Sequence, residues 1–489
     1  MVAIPHTEIE MEVSRALESA CKDLPRDILR ALYEAQGQEQ TGSLAHIVLN
    51  ILINNAEIAR EKRLPICQDT GIDVIFVELG RDVSIEGDLE DAINRGIARG
   101  TRDGFLRASV CDPITRKNTG DNRPAVIHVD LVDGDALKIK ILPKGCGSEN
   151  MSGLKMLPPS SGRKGIIDYV VDMVRKAGAN ACPPGFVGVG VGGTMDQAAL
   201  LSKRALLRPL GKRHSREDIS ELELDLAEEI NSLSVGPLGF GGNTSCLGVA
   251  VEVAPCHIAS LPVAVNIQCH AARMSEIIWK SGMLLKTESD SADLMTVGRA
   301  KGTDLGFTNL PNVIKKLSLP LSDRDLRSLR AGECVLLTGK MLTGRDQTHK
   351  RIVELVESGK ELPVSLEGQL IYYVGPTPAP PGRVIGAAGP TTSYRMDAYM
   401  NKMFDLGVKA TLGKGMRSDS VVKAMAEVGA VYMATIGGAG AYLSECIKDA
   451  RLVAFEDLGP EALYQLEVED FPAIVINDVA GNDFYRDCK

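Results

Sequence analysis

Apolar positions recur with helical spacing over residues 8–24 and again over residues 44–62, so both segments are predicted helices. The second carries the longest apolar region of the chain, residues 46–59, which Asn50, Asn54, Asn55 and Glu57 make too polar to span a bilayer. Residues 126–132, the pair Asp133-Gly134 and residues 136–142 predict a β-hairpin, because Asp-Gly tolerates the positive φ of a tight turn. Residues 166–176 read as a helix with Gly178 just beyond its end. Ser215, with Glu217 and Asp218 in the following turn, is placed as the cap of a charged helix running towards Leu233.

The pattern changes over residues 284–310, which are polar and short of long apolar runs. Beyond them, predicted strands at 334–337, 370–374, 431–436, 452–455 and 473–476 alternate with predicted helices at 346–356, 398–406 and 420–428. That rhythm implies an α/β unit. The expected fold is mixed α/β. Residues 1–285 form a helix-rich domain with a mixed sheet, 286–310 a linker, and 311–489 a smaller α/β domain of the swivelling type.

Composition narrows the function classes. The chain has 489 residues, more than one ordinary core accommodates. Aromatic residues make up 4% with a single Trp279, which argues against a base-stacking nucleic-acid surface. A net charge of -9 argues against a polyanion as the main partner. The first residues lack a basic-then-apolar signal pattern, so a cytoplasmic location without membrane attachment is expected. The eleven cysteines are too sparse for a disulfide scaffold, and none forms the C-x-x-C spacing of zinc ribbons, thioredoxins or ferredoxins.

Several loops carry candidate chemistry. Cys67-Gln68-Asp69-Thr70-Gly71 puts a soft ligand, an amide and a carboxylate in one turn. Lys144-Gly145-Cys146-Gly147-Ser148-Glu149-Asn150 follows a predicted strand, and its glycines open backbone N–H groups to an anion or simply make a tight turn. Gly188-Val189-Gly190-Val191-Gly192-Gly193 hints at a dinucleotide fingerprint, and hence at an NAD-dependent malate enzyme. Close packing of a glycine strand explains it better, since the residues near 214–218 start a helix where a strand-end acid is needed. His257 serves as a general acid/base, a carboxylate partner or a satisfied structural residue. Thr343-Gly344-Arg345-Asp346, Gly389 to Arg395 and Gly413-Lys414-Gly415 place three cationic side chains at loop positions, which suits a dicarboxylate.

Taken in order, these segments resemble the class I, iron–sulfur-dependent fumarate hydratases and the related L-tartrate dehydratases. The likeness runs from about Pro65 to the C-terminus. It also rests on Asn118-Thr119-Gly120-Asp121-Asn122, Cys182-Pro183-Pro184 and the stretch from His257 to Arg273. The resemblance implies a 4Fe–4S cluster held by Cys67, Cys182 and Cys269, with one iron free of protein ligands. It implies Asp69 and Thr391 as the acid/base pair, with Thr391 for the C3 proton and Asp69 for the hydroxyl. His257, Gln68, Arg107, Arg345, Arg395, Lys414 and the backbone at Cys146 and Gly147 would hold the carboxylates. Cys146 departs from the family, which has glycine there. The expected activity is interconversion of fumarate and L-malate by a homodimer. The alternatives are a tartrate or mesaconate dehydratase and, in another class, a non-enzymatic iron–sulfur sensor.

Overall fold

The computed structural model describes residues 2–288 and 314–487. The first predicted helix is His6–Lys22, and the second predicted one runs over Leu44–Lys62, with a further helix, Arg26–Gln38, between them. Ser43 caps the second by accepting a hydrogen bond from the His46 amide, and Arg63 closes it with φ of 52°. Its asparagines are not breaks. Asn55 is buried; its Nδ2 donates to the carbonyls of Ile66 (3.0 Å) and Gly438 (3.2 Å), and its Oδ1 accepts from the Tyr442 amide (2.9 Å). Beside it, the Gly440 amide donates to the Ile66 carbonyl at 2.9 Å. Ile47, Val48, Ile51 and Leu52 of the same helix share one apolar core with Tyr372, Leu412 and Ile436.

The predicted hairpin does not form. Strands Val126–Val132 and Ala136–Lys144 exist, but both pair with Ile72–Gly80, the former parallel and the latter antiparallel. The Asp133-Gly134 turn steps over the end of that middle strand, and the Asp82 amide donates to the Gly134 carbonyl at 3.0 Å. A Cβ on Gly80 would lie 2.3 Å from that carbonyl oxygen, so the crossing needs glycine. Strands Ser275–Lys280 and Met283–Glu288 complete this five-stranded sheet.

A second sheet has the order Gly153–Leu157, Leu261–Gln268, Gly185–Gly192, Cys246–Ala254. A Cβ on Gly188 or Gly190 would meet carbonyl oxygens of helix Met195–Ala205 at 2.2 and 2.1 Å, so the glycine run serves close packing, as expected. Helix Gly162–Ala177 ends at Gly178 as predicted. The charged helix is Glu217–Ser232; Ser215 does not cap it, and Arg216 before it pairs with Asp218 instead.

The C-terminal strands form one seven-stranded sheet. Leu463–Asn477 pairs antiparallel with both Cys334–Thr343 and Val431–Ala434, which closes five of the strands into a ring. The predicted helix at 398–406 is a 3-10 segment, Ser393–Tyr399, followed by Met400–Asp405. The architecture is mixed α/β. Most of the expected linker, from residue 289 on, lies outside the described residues. Among the described residues no helix is long and apolar enough to cross a membrane.

Candidate active site

The Cys67–Gly71 turn leads directly into strand Ile72–Gly80, whose first residue is in register with Lys144. The turn and the loop after Lys144 therefore meet at one end of the sheet. Gly71 has φ of 86°, and a Cβ there would lie 2.5 Å from the Lys144 carbonyl group. Asp69 sits between the two loops. Its Oδ2 accepts from the Cys146 amide (3.0 Å) and its Oδ1 from Arg107 Nη2 (3.0 Å). Its carbonyl oxygen accepts from Arg273 Nη1 at 2.7 Å. Burial on its own would raise the Asp69 pKa. Arg107, Arg273, Arg345 and Lys414 outweigh it and hold the carboxyl at about 2.

The other wall comes from the C-terminal loops. Gln68 Nε2 donates to the Pro390 carbonyl at 3.1 Å, and Arg107 Nη1 to the Gly375 carbonyl at 2.8 Å. Thr391 is buried, and its Oγ1 accepts from Arg395 Nη1 at 3.2 Å. Arg395 is held in turn by both carboxylate oxygens of Asp346. Arg345, also buried, faces Glu461 at 3.5 Å. Lys414 reaches across to the N-terminal part, where its ammonium donates to Cys182 Sγ at 2.7 Å. A Cβ on Gly147 would lie 2.9 Å from Lys414 Nζ, so the loop backbone abuts the lysine.

Cys67, Cys182 and Cys269 come from three loops. The His270 amide donates to the Cys182 carbonyl at 3.4 Å, which ties two of those loops together. The thiols lie near enough that charge on Cys269 acts on both Cys67 and Cys182, and all three act on Lys414. Among the described residues no three His, Cys, Asp or Glu side chains could share a single metal ion. A four-iron cluster asks for something else, because each thiolate takes its own iron and the sulfurs stand apart. The residues fit that demand. Buried Arg273 and part-buried Lys414 supply positive charge beside the thiols, and Gly437 lacks the Cβ that would come within 2.7 Å of Cys182 Sγ.

Comparison with known proteins gives the family. The family model described as fumarate hydratase (Fumerase) matches residues 10–278, and that of the fumarase C-terminus matches residues 294–488. A putative class I fumarate hydratase of Geobacillus stearothermophilus is 32% identical over 95% of this chain and 93% of its own length. The anaerobic class I fumarate hydratase of Escherichia coli (strain K12) is 33% identical over 89% of this chain and 81% of its own. The chain belongs to the class I fumarate hydratase family. A putative L(+)-tartrate dehydratase subunit alpha of Methanocaldococcus jannaschii is 42% identical, over 51% of this chain and 90% of its own length.

Of the site residues expected from the sequence, the fumarase fold brings together Cys67, Gln68, Asp69, Arg107, Cys146, Gly147, Cys182, Cys269, Arg345, Thr391, Arg395 and Lys414. His257 is the exception. Cys182 precedes strand Gly185–Gly192 and Cys269 follows strand Leu261–Gln268, whereas His257 lies in the exposed turn at the opposite end of that sheet. Eight extended residues put it roughly 25 Å from Cys269. Within one chain it does not join the site. The Cys146 thiol is pushed up to about 11, first by burial and then by Asp69, so it stays protonated near neutral pH.

Sequence reasoning gave no role to Arg273, Asp346 or His270. Arg273 and His270 stand four and one residues beyond Cys269, and Asp346 is next to Arg345, so proximity to assigned residues was the available signal. His270 Nε2 shares a hydrogen bond with the Gly437 carbonyl at 2.9 Å, and burial lowers its pKa to about 4, so it remains neutral.

Asp73 lies beneath the turn, fully buried. Burial raises its pKa to about 7 against the smaller opposing effects of Asn122 and Arg273. An acid raised on folding contributes stability that is complete below its unfolded pKa near 4 and lost as pH rises through about 7. Asp73→Asn is therefore expected to stabilise the protein at pH 8 by at most about 4 kcal/mol, with the gain shrinking towards pH 4. Urea unfolding at the two pH values measures it; a gain that is the same at both counts against the assignment.

Proposed function

We propose that this chain catalyses the reversible hydration of fumarate to L-malate, using a 4Fe–4S cluster held by Cys67, Cys182 and Cys269. The observation that carries the reading is the meeting of Asp69, four cationic side chains and three thiols where the two parts of the chain join. When bound, the cluster supplies an iron without a protein ligand, a Lewis acid for substrate oxygens. Arg107, Arg345, Arg395 and Lys414 bind and orient the two carboxylates, helped by Gln68 and the backbone at Cys146 and Gly147.

Asp69 takes a proton from the incoming water in hydration and returns it in dehydration. A carboxyl at about 2 is a weak base. A dianionic substrate draws on the same cations and adds its own negative charge, which raises Asp69 towards a useful value. Thr391 handles the C3 proton. Its oxygen already accepts from the Arg395 guanidinium, which stabilises the developing alkoxide. The site is built from a cluster-binding part, residues 1–285, and a C-terminal part, residues 311–489, in a cytoplasmic enzyme.

The chain acts as a homodimer in this reading, and His257 takes part only if one copy carries the turn before strand Leu261–Gln268 to the site of the other. The same sheet end exposes Met156 (49%), Met195 (62%) and Ile258 (91%), apolar surface that a second copy would cover. Co-assembly of Asp69→Asn chains with His257→Ala chains is then expected to recover roughly a quarter of wild-type turnover by random pairing, since one site in each mixed dimer is intact. No recovery overturns this cross-chain role, and wild-type activity of His257→Ala protein on its own removes His257 from the mechanism.

The tartrate dehydratase relative favours a second reading, dehydration of L-tartrate, with methylfumarate (mesaconate) as the other alternative substrate. Anaerobically reconstituted protein assayed on fumarate, L-malate, L-tartrate and mesaconate decides between them. Fumarate and malate are expected to turn over fastest; a higher kcat/KM for tartrate or mesaconate overturns the assignment.

A further inference from the structure

The segment Asn118-Thr119-Gly120-Asp121-Asn122 supplies no group to the site described above, yet it ends in one of the most fully engaged amides of the chain. Asn122 is 3% exposed and adopts φ of 62°, a left-handed conformation that Asn tolerates better than most residues. Its Nδ2 donates to the Gly71 carbonyl at 3.1 Å and to Asp73 Oδ2 at 2.9 Å. Its Oδ1 accepts from the amides of Ser109 at 2.7 Å and Val110 at 3.2 Å. The donors thus grip the chain two and four residues beyond Asp69. The acceptor grips it two and three residues beyond Arg107.

The surrounding bonds serve the same junction. Thr70 Oγ1 donates to the Arg107 carbonyl at 2.8 Å and accepts from the Arg107 amide at 3.1 Å. Asn118 Nδ2 donates to the Ala108 carbonyl at 3.0 Å, and the Thr119 amide to the Val110 carbonyl at 2.9 Å. The Asp69–Arg107 contact of 3.0 Å is therefore set from below, by backbone positions that only a side chain with both donors and an acceptor can join. A carboxylate lacks the donors, and an aliphatic side chain lacks both.

We propose that Asn122, anchored on Asp73, is a positioning residue that holds the Asp69 turn and the Arg107 segment in register for the reaction. The inference rests on the fumarate hydratase reading and adds to it a residue that touches no substrate. Displacing a binding group by about 1 Å costs on the order of a hundredfold. Asn122→Ala is thus expected to lower kcat/KM for fumarate by roughly tenfold to a hundredfold, with a rise in KM as Arg107 drifts, in protein that keeps its full iron and sulfide content.

The decisive readout is coupling. If Asn122 acts through Arg107, Asn122→Ala added to Arg107→Ala costs little more than Arg107→Ala alone. Losses that multiply show a merely structural residue and overturn the proposal, as does an unchanged KM in cluster-replete Asn122→Ala. Should Asn122→Ala fail to fold, the exchange Asn122→Asp with Asp73→Asn gives a second measure. Asn122→Asp alone sets two carboxylates against each other, and the paired change restores one donor and one acceptor. Partial recovery of KM in the pair, which still leaves the Gly71 carbonyl without its donor, supports the clamp, and a cluster-replete Asn122→Asp protein with wild-type KM overturns it. Wild-type protein that does not hydrate fumarate under the same conditions refutes the functional reading instead. Normal wild-type turnover with unaffected variants refutes only the clamp.

Discussion

Asp69→Asn is expected to lower kcat for fumarate hydration by about a thousandfold or more, within the range that a positioned acid/base contributes. The substitution keeps the size of the side chain and removes its charge. In the wild-type chain the two carboxylate oxygens answer two different donors, Arg107 Nη2 and the Cys146 amide. An asparagine can accept on one oxygen only, so its amide group faces a donor and cannot take a proton from water. Buried Arg107 also loses the carboxylate it pairs with. The cluster ligands lie on other side chains, so iron and sulfide counts are expected to stay at wild-type level. Steady-state kinetics alongside iron analysis checks this, and a kcat within tenfold of wild type removes Asp69 from the mechanism.

The second large effect concerns the thiols. Cys182→Ser, Cys67→Ser or Cys269→Ser is expected to leave the reconstituted protein short of iron and sulfide, with turnover reduced to background. A serine hydroxyl is a hard, weakly acidic ligand where iron–sulfur chemistry calls for a thiolate. At position 182 the serine still offers Lys414 an acceptor, so the part-buried ammonium is not stranded and loss of fold does not explain the result. Cys256→Ser is the control, since Cys256 is exposed and its thiol only donates to the Ser260 carbonyl at 3.2 Å. Wild-type cluster content in any of the three ligand variants, or its loss in the control, overturns the ligand set.

How far the sequence carried depended on how local each signal was. Helix Leu44–Lys62 was legible because its apolar spacing and its Ser43 cap are properties of consecutive residues. The hairpin was misread for the same reason. Asp133-Gly134 announces a tight turn, but nothing within residues 126–144 reveals that Ile72–Gly80 already occupies the place between the strands. In the site, ordered short segments pointed to Asp69, Thr391 and Lys414, whereas contacts such as Arg107 with Gly375 join residues that no local pattern connects. His257 takes its role from the family resemblance, and within one chain strand Leu261–Gln268 sets it roughly 25 Å from Cys269, a distance no local pattern reveals. Asn122 shows no role in the sequence, since an amide's value depends on four partners that only the folded chain assembles.

The seam around Asn55 bears on how such an enzyme can be divided. Its amide answers Ile66 on one side and Gly438 and Tyr442 on the other, and the Gly440 amide answers Ile66 in return. Each half thus leaves backbone groups that the other half completes, as a lock-and-key pair of subunits would. Covalent continuity then serves as a tether. It raises the effective concentration of one half at the other to the order of millimolar, while the joining contacts are of a kind that two separate polypeptides can make equally well. Whether such halves are inherited as one chain or two becomes a matter of assembly kinetics and stoichiometry, with the chemistry at their junction unchanged.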